Sequence, residues 1–203
     1  MFHAGVGVQD NGEELPEWRL EYDRAVMSQI QDFKVDLIVL AGYMLIIGPE
    51  MCNKYNIINL HPAMPNGPKG TWQEVIWHLI EEKAAESGVM MHLVTPELDR
   101  GPVITYCKYE ITGPKFDKYW HSIKNISVRD IKAKEGETNQ LFQKIRQAGF
   151  IREIPLVINT LKAFSDENIK INQDKRLIDS HGNYIDGYDL TAEIDRFING
   201  IVL

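Results

Sequence analysis

The chain has 203 residues, 44% hydrophobic and 25% charged, which suits one substantial globular domain with a tail better than two domains. Its formal net charge of −7 argues against a nucleic-acid backbone or an anionic membrane as main partner, since both select clustered Lys and Arg. Cys52 and Cys107 form no CxxC motif or disulfide framework, and neither stands at metal-ligand spacing from a histidine. The longest apolar stretch is too short to span a bilayer and no signal segment opens the chain, so a cytoplasmic protein without a metal site is expected.

In chain order, residues 1–9 hold at best one short strand, and residues 10–16 read as a polar loop. From Glu17 the residues Trp18, Tyr22, Ala25, Val26, Ile30 and Phe33 recur at helical spacing, predicting an amphipathic helix that ends near Lys34. Residues 35–43 (VDLIVLAGY) are apolar almost throughout, the pattern of a strand buried on both faces of a parallel sheet, and Gly48-Pro49 ends the run. Ile57, Ile58 and Leu60 predict a second buried strand, stopped by the prolines after His61. Thr71 and Glu74 stand at capping-box spacing before a helix with Trp72, Val75, Ile76, Leu79 and Ile80 on one face.

Residues 89–95 and 103–111 read as strands joined by a tight loop. The strand-helix-strand order around residues 71–86 predicts a right-handed crossover between parallel strands. Residues 113–136 show no clean period and read as an insertion loop. Helices are predicted over 138–148 and 152–164, separated by Gly149, with Pro155 in the first turn of the second. Residues 170–188 carry a hairpin signal around Ser180-His181-Gly182-Asn183, and Asp189 is placed to cap a last helix with Ile194, Phe197, Ile198 and Ile201 inward.

The chemistry-bearing residues gather at strand ends. Asn59 and His61 are two apart on one strand and therefore share a face, at the carboxyl end where open α/β sheets bind ligands. Imidazole, with an ordinary pKa of about 6.5, both takes and gives a proton near neutrality. A carboxylate nearby, such as Asp99, would favour its protonated form. An amide N–H such as that of Asn59 suits an oxygen gaining negative charge during acyl transfer. No Ser or Cys nucleophile accompanies them in the loop. The same Asn-x-His-Pro is also what a turn satisfied by its own backbone looks like, and the Glu-Leu-Asp-Arg-Gly-Pro loop fits a plain turn. His92 reads as a hydrogen-bonded strand residue, and His78, His121 and His181 as surface positions.

Residues 36–44 (DLIVLAGYM), 59–62 (NLHP) and 94–104 (VTPELDRGPVI) together resemble the folate-dependent formyltransferases, and among them the phosphoribosylglycinamide formyltransferases of purine synthesis. The resemblance covers most of the chain up to Ile171. It implies an open, mostly parallel α/β sheet of Rossmann-like type flanked by helices and truncated at its N-terminus. The catalytic domain would span residues 1–171, and residues 172–203 would form a C-terminal hairpin and helix. It implies that Asn59 holds a formyl oxygen, that His61 shuttles a proton, and that Asp99 keeps His61 protonated or orients water. Met44, Leu45, Ile46 and Ile47, with Thr95, Pro96, Glu97, Leu98 and Asp99, would line the pterin pocket of 10-formyltetrahydrofolate, and Arg19 matches a cofactor-contacting arginine. Partners implied are a small-molecule amine acceptor and a second copy of the chain, with no nucleic acid or membrane.

Three departures concern the acceptor side. The chain starts near the relatives' third strand and lacks their phosphate-binding loop, which is read as truncation that leaves residues 35–43 as an apolar edge. The loop after His61 differs from the Ser-Leu-Leu-Pro type of the relatives. Phe150 or Gly149 stands where the relatives place a glutamate on the amine, and residues 113–136 are longer than expected. Competing expectations are therefore amine formylation, hydrolysis to formate, and non-catalytic folate binding.

Overall fold

A computed structural model describes residues 15–97 and 100–201. A first helix, α1 (Glu17–Ile30), leads to β1 (Ile38–Leu40), a short α2 (Pro49–Lys54), and β2 (Ile57–His61). Next come α3 (Trp72–Glu81) and the hairpin of β3 (Glu86–Leu93) and β4 (Val103–Glu110). Two short helices, α4 (Asp117–Ser122) and α5 (Val128–Lys134), precede the long α6 (Gln140–Ser165). The chain ends with β5 (Ile169–Ile171), β6 (Leu177–Asp179), β7 (Tyr188–Asp189) and α7 (Thr191–Ile201).

The main sheet has the order β1-β2-β3-β4-β7, with β5 and β6 forming a separate hairpin. Ile57 and Ile58, neighbours on β2, are both fully buried yet belong to different clusters. Ile57 packs with Met27, Met51 and Cys52 from α1 and α2, and Ile58 with Leu156 of α6 and Ile194 of α7. The sheet is thus covered by helices on both faces, the α/β architecture the sequence implies. A third cluster joins α3, α5 and the first turns of α6 around Phe142, which lies 4.7 Å from Trp77. Leu177 and Leu190, beyond residue 171, share the core of Ile58 and Leu156, and β7 pairs in parallel with β4.

Several expectations are corrected. The sheet is mixed: β1 pairs with β2 in parallel, but β2 pairs with β3 antiparallel. His61 lies opposite Met90, so residues 62–85 leave and re-enter the sheet at one end and no crossover is made. β1 is three partly exposed residues at the edge of the described sheet, not a long strand buried on both faces. α1 ends at Ile30, before Phe33, and much of its expected apolar stripe faces outward, with Trp18 58% and Tyr22 45% exposed, while Arg19, Asp23 and Met27 point inward. Residues 113–136 are mostly α4 and α5 rather than a loop, and Ser127 caps α5 by accepting from the Asp130 N–H.

The two expected C-terminal helices are one. Asn139 opens α6 by accepting from the N–H groups of Leu141 and Phe142, and the helix runs through both Gly149 and Pro155. Gly149 is a packing residue: a Cβ there would sit 2.8 Å from the Tyr109 hydroxyl. Pro155 has no N–H to give to the carbonyl of Ile151, a residue that is 42% exposed. The hairpin signal around residues 180–183 meets an antiparallel bridge of Ile178 with Tyr184 across that turn, and a second hairpin precedes it, in which β5 and β6 join through residues 172–176. On α7, Ile194 is buried but Phe197 is 47% exposed. Among the described residues no helix is long and apolar enough to cross a membrane.

Candidate active site

β2 delivers its last residues to a cleft of about 720 Å³, well within the range of small-molecule sites. One wall is made of strand ends and the loops that follow them: residues 42–47 after β1, Asn59 and His61 on β2, and His92 with Thr95 at the end of β3. The opposite wall comes from helices, with Trp72 and Glu74 from the first turn of α3 and Arg146 and Glu153 from α6.

Period two places Asn59 and His61 on the same side of β2, and both line the cleft. The His61 ring is 3% exposed, and its Nε2 donates to the Pro68 carbonyl at 3.1 Å, closing the proline-rich loop back over the strand end. His92 sits edge-on to it, ring centroids 6.1 Å apart. A carbonyl can only accept, so His92 Nδ1 donates to Leu93 O at 3.1 Å; in the neutral ring Nε2 then accepts from Asn59 Nδ2 at 3.4 Å. That contact sets which way the Asn59 amide faces. The register of β3 against β4 shifts between Met91 and His92.

The motif loop after β3 depends on one glycine. A Cβ on Gly101 would meet Leu93 O at 1.6 Å, so only glycine lets the returning chain lie against the end of β3. Leu98 and Asp99, expected in the pocket and as the acidic partner of His61, lie outside the described residues.

Met44, Leu45, Ile46, Ile47 and Thr95 line the cleft as expected. Met44 is 80% exposed and Ile47 buried, so the segment runs from lip to floor. Pro96 and Glu97 do not appear among the lining residues, and neither does Arg19. Arg19 is buried behind this wall, paired with Asp23 at 2.7 Å. Its Nη2 donates to the Tyr43 hydroxyl at 3.1 Å, and Asp23 Oδ2 accepts from Gly48 N at 2.6 Å. The pair thus pins both ends of residues 43–48. Arg19 Nε and Nη1 have no hydrogen-bond partner among the described residues.

On the helical wall Arg146 pairs with Glu153 one α6 heptad away, and its guanidinium lies 4.8 Å from the Trp72 ring and 5.0 Å from that of Phe150. The pair is partly buried, at 24% and 16% side-chain exposure. Sequence reading missed both residues, because it placed them on two helices that the structure shows to be one. Glu74 was read only as a capping residue, and it is one, accepting from Thr71 N at 2.7 Å and Thr71 Oγ1 at 2.9 Å. The Thr71 N–H, and then its hydroxyl, hold this carboxyl below the usual glutamate value. Both thiols lie away from the cleft lining. Burial first, with Asp23 adding, pushes Cys52 up to about 12, and burial pushes Cys107 up to about 11. Neither is a nucleophile at neutral pH.

A family model described as formyl transferase matches residues 4–118. Phosphoribosylglycinamide formyltransferase of Escherichia coli K12 is 35% identical over 95 residues, covering 46% of this chain and 44% of that protein. The chain therefore spans about half the length of such relatives. Among solved structures, a phosphoribosylglycinamide formyltransferase from Coxiella burnetii aligns with TM-score 0.56 at 20% identity, over 84% of this chain and 69% of that one. A formyltetrahydrofolate deformylase from Pseudomonas syringae aligns with TM-score 0.56 at 19% identity, over 88% and 48%. At such identities the structural likeness speaks for the fold.

Proposed function

The chain belongs to the formyl transferase family, and on that premise we propose that its cleft transfers a formyl group from 10-formyltetrahydrofolate to a small amine, with glycinamide ribonucleotide the first candidate. The observation that carries this reading is the shared placement of Asn59 and His61 at the end of β2, inside one cleft of ligand size. The cleft fits the donor chemically. Met44, Leu45 and Ile46 offer apolar surface to a flat ring, and the irregular backbone of residues 42–47, which is not committed to the sheet, offers the amide groups a pterin needs.

In this reading the amine nitrogen attacks the formyl carbon and the bond from that carbon to the donor nitrogen breaks. The second N–H of Asn59 Nδ2, the one not directed at His92, donates to the formyl oxygen as charge builds there. His61 moves the proton from the attacking amine to the departing nitrogen, and Asp99 supports its protonated form. The products are a formamide and tetrahydrofolate, with no covalent enzyme intermediate.

Hydrolysis to formate is a second reading. Phe150, 59% exposed, or Gly149 stands where the resemblance calls for a carboxylate on the amine. The test measures tetrahydrofolate and formate production with and without glycinamide ribonucleotide, for wild type, His61→Ala and Asn59→Ala. Amine-dependent turnover that falls about 10²–10⁴-fold in His61→Ala and about 10²-fold or more in Asn59→Ala is expected. Formate release independent of amine selects hydrolysis. Turnover indifferent to His61 overturns both readings.

A further inference from the structure

We propose that Arg146 and Glu153 are the docking pair for the formyl acceptor, and that the acceptor is a primary amine that also carries an oxyanion, a phosphate or a carboxylate. This rests on the formyl-transfer reading of the cleft. Among the described residues that line the cleft, the fully charged side chains are Glu74, Arg146 and Glu153. Glu74 is committed to the Thr71 N–H and hydroxyl at the start of α3. An oxyanion entering the cleft therefore finds its cation at Arg146, and an amine finds its carboxylate at Glu153.

The pair is built to exchange partners. Salt bridges that support a helix join residues three or four apart. Arg146 and Glu153 are seven apart, about 10.5 Å along α6, so each side chain leans along the axis to reach the other. The guanidinium lies over the rings of Trp72 from α3 and Phe150 from α6, at 4.8 and 5.0 Å, which holds its plane and leaves its edge for hydrogen bonds. Along that edge Nη1 donates to Glu153, and among the described residues the other N–H groups of the fork meet no acceptor. A fork with spare donors matches the two oxygens of an oxyanion. A ligand carrying both charges replaces the internal pair and leaves no charge uncompensated: its oxyanion takes Arg146 and its amine N–H groups take Glu153. A neutral amine cannot do this, because drawing Glu153 away strands the guanidinium, and that cost is what selects against it.

The experiment is titration calorimetry, without folate, of glycinamide ribonucleotide, glycine and glycinamide into wild type, Arg146→Met and the exchanged pair Arg146→Glu/Glu153→Arg, with thermal midpoints on all three proteins. Wild type is expected to bind an oxyanion-bearing amine about tenfold tighter than glycinamide, which has no oxyanion. Glycinamide ribonucleotide as the tighter ligand assigns a phosphate, and glycine a carboxylate. Arg146→Met is expected to cut the preference to about twofold or less. The exchanged protein keeps an ion pair, and with it the thermal midpoint, yet is expected to lose the preference, which a merely structural clamp would not do. Should it unfold, Arg146→Lys replaces it and is expected to recover part of what Arg146→Met loses. Equal binding of the three ligands by wild type overturns the docking pair, as does a preference that survives in folded Arg146→Met. Equal binding beside amine-dependent tetrahydrofolate release leaves formyl transfer standing. An oxyanion preference without that release sinks formyl transfer and keeps the pair.

Discussion

The two walls of the cleft are built by different means. On the strand wall, Asn59 and His61 are fixed by β2, and residues 43–48 are held by a buried ion pair that never touches the cleft. On the helical wall, Arg146 and Glu153 pair with each other, Arg146 lies against aromatic rings, and both stay partly exposed. Backbone pairing sets a strand-end side chain to within a fraction of an ångström, as proton transfer and oxyanion contacts require. A side-chain pair on a helix can open and re-pair. The wall fixed by backbone is thus suited to the chemistry, and the adjustable wall to accommodating an acceptor.

The largest effect that would sharpen this contrast is at Arg19. Arg19→Met strands Asp23 as a buried charge and is expected to cost about 3–5 kcal/mol, read from the urea midpoint at neutral pH. Adding Asp23→Leu should restore most of that loss. If Arg19→Met costs less than about 1 kcal/mol, the ion pair does not hold the strand wall.

Next is the helical wall. Glu153→Gln and Arg146→Met are expected to change KM for the acceptor by about tenfold or less while KM for the folate donor stays put. Equal changes in both would erase the distinction between the walls.

The smallest effect is at the start of α3. Thr71→Ala should cost about 1 kcal/mol of stability through loss of the cap. The lowered Glu74 value means the folded state favours its carboxylate, so that contribution is present at neutral pH. It is lost as the pH falls through the ordinary glutamate range toward the lowered folded value. The stability difference between wild type and Glu74→Gln should therefore shrink in acid. A difference that grows in acid would contradict the capping geometry.

Local rules carried the strand wall. The apolar run before His61, the prolines after it and the period of two were enough to put Asn59 and His61 side by side at the end of β2, and the Thr71/Glu74 spacing was enough to place the start of α3. These are interactions between residues a few positions apart, which sequence displays directly. The same rules misassigned α1, because hydrophobicity alone could not anticipate that Arg19 and Asp23 would neutralise each other inside the protein while Trp18 faced solvent. They also split α6 at Gly149, where the close approach of Tyr109 favours glycine within a continuous helix, and took Pro155 for the first turn of a second helix.

What the amino-acid order determined, then, was the strands β2, β3 and β4, the cap of α3 and the pairing of amide with imidazole. Tertiary structure alone decided that β3 returns antiparallel to β2, that Arg146 and Glu153 face Asn59 across one cleft, and that α6 keeps a second apolar face outward. Each of these joins residues far apart in the chain, and their meeting is fixed by which surfaces can be buried together.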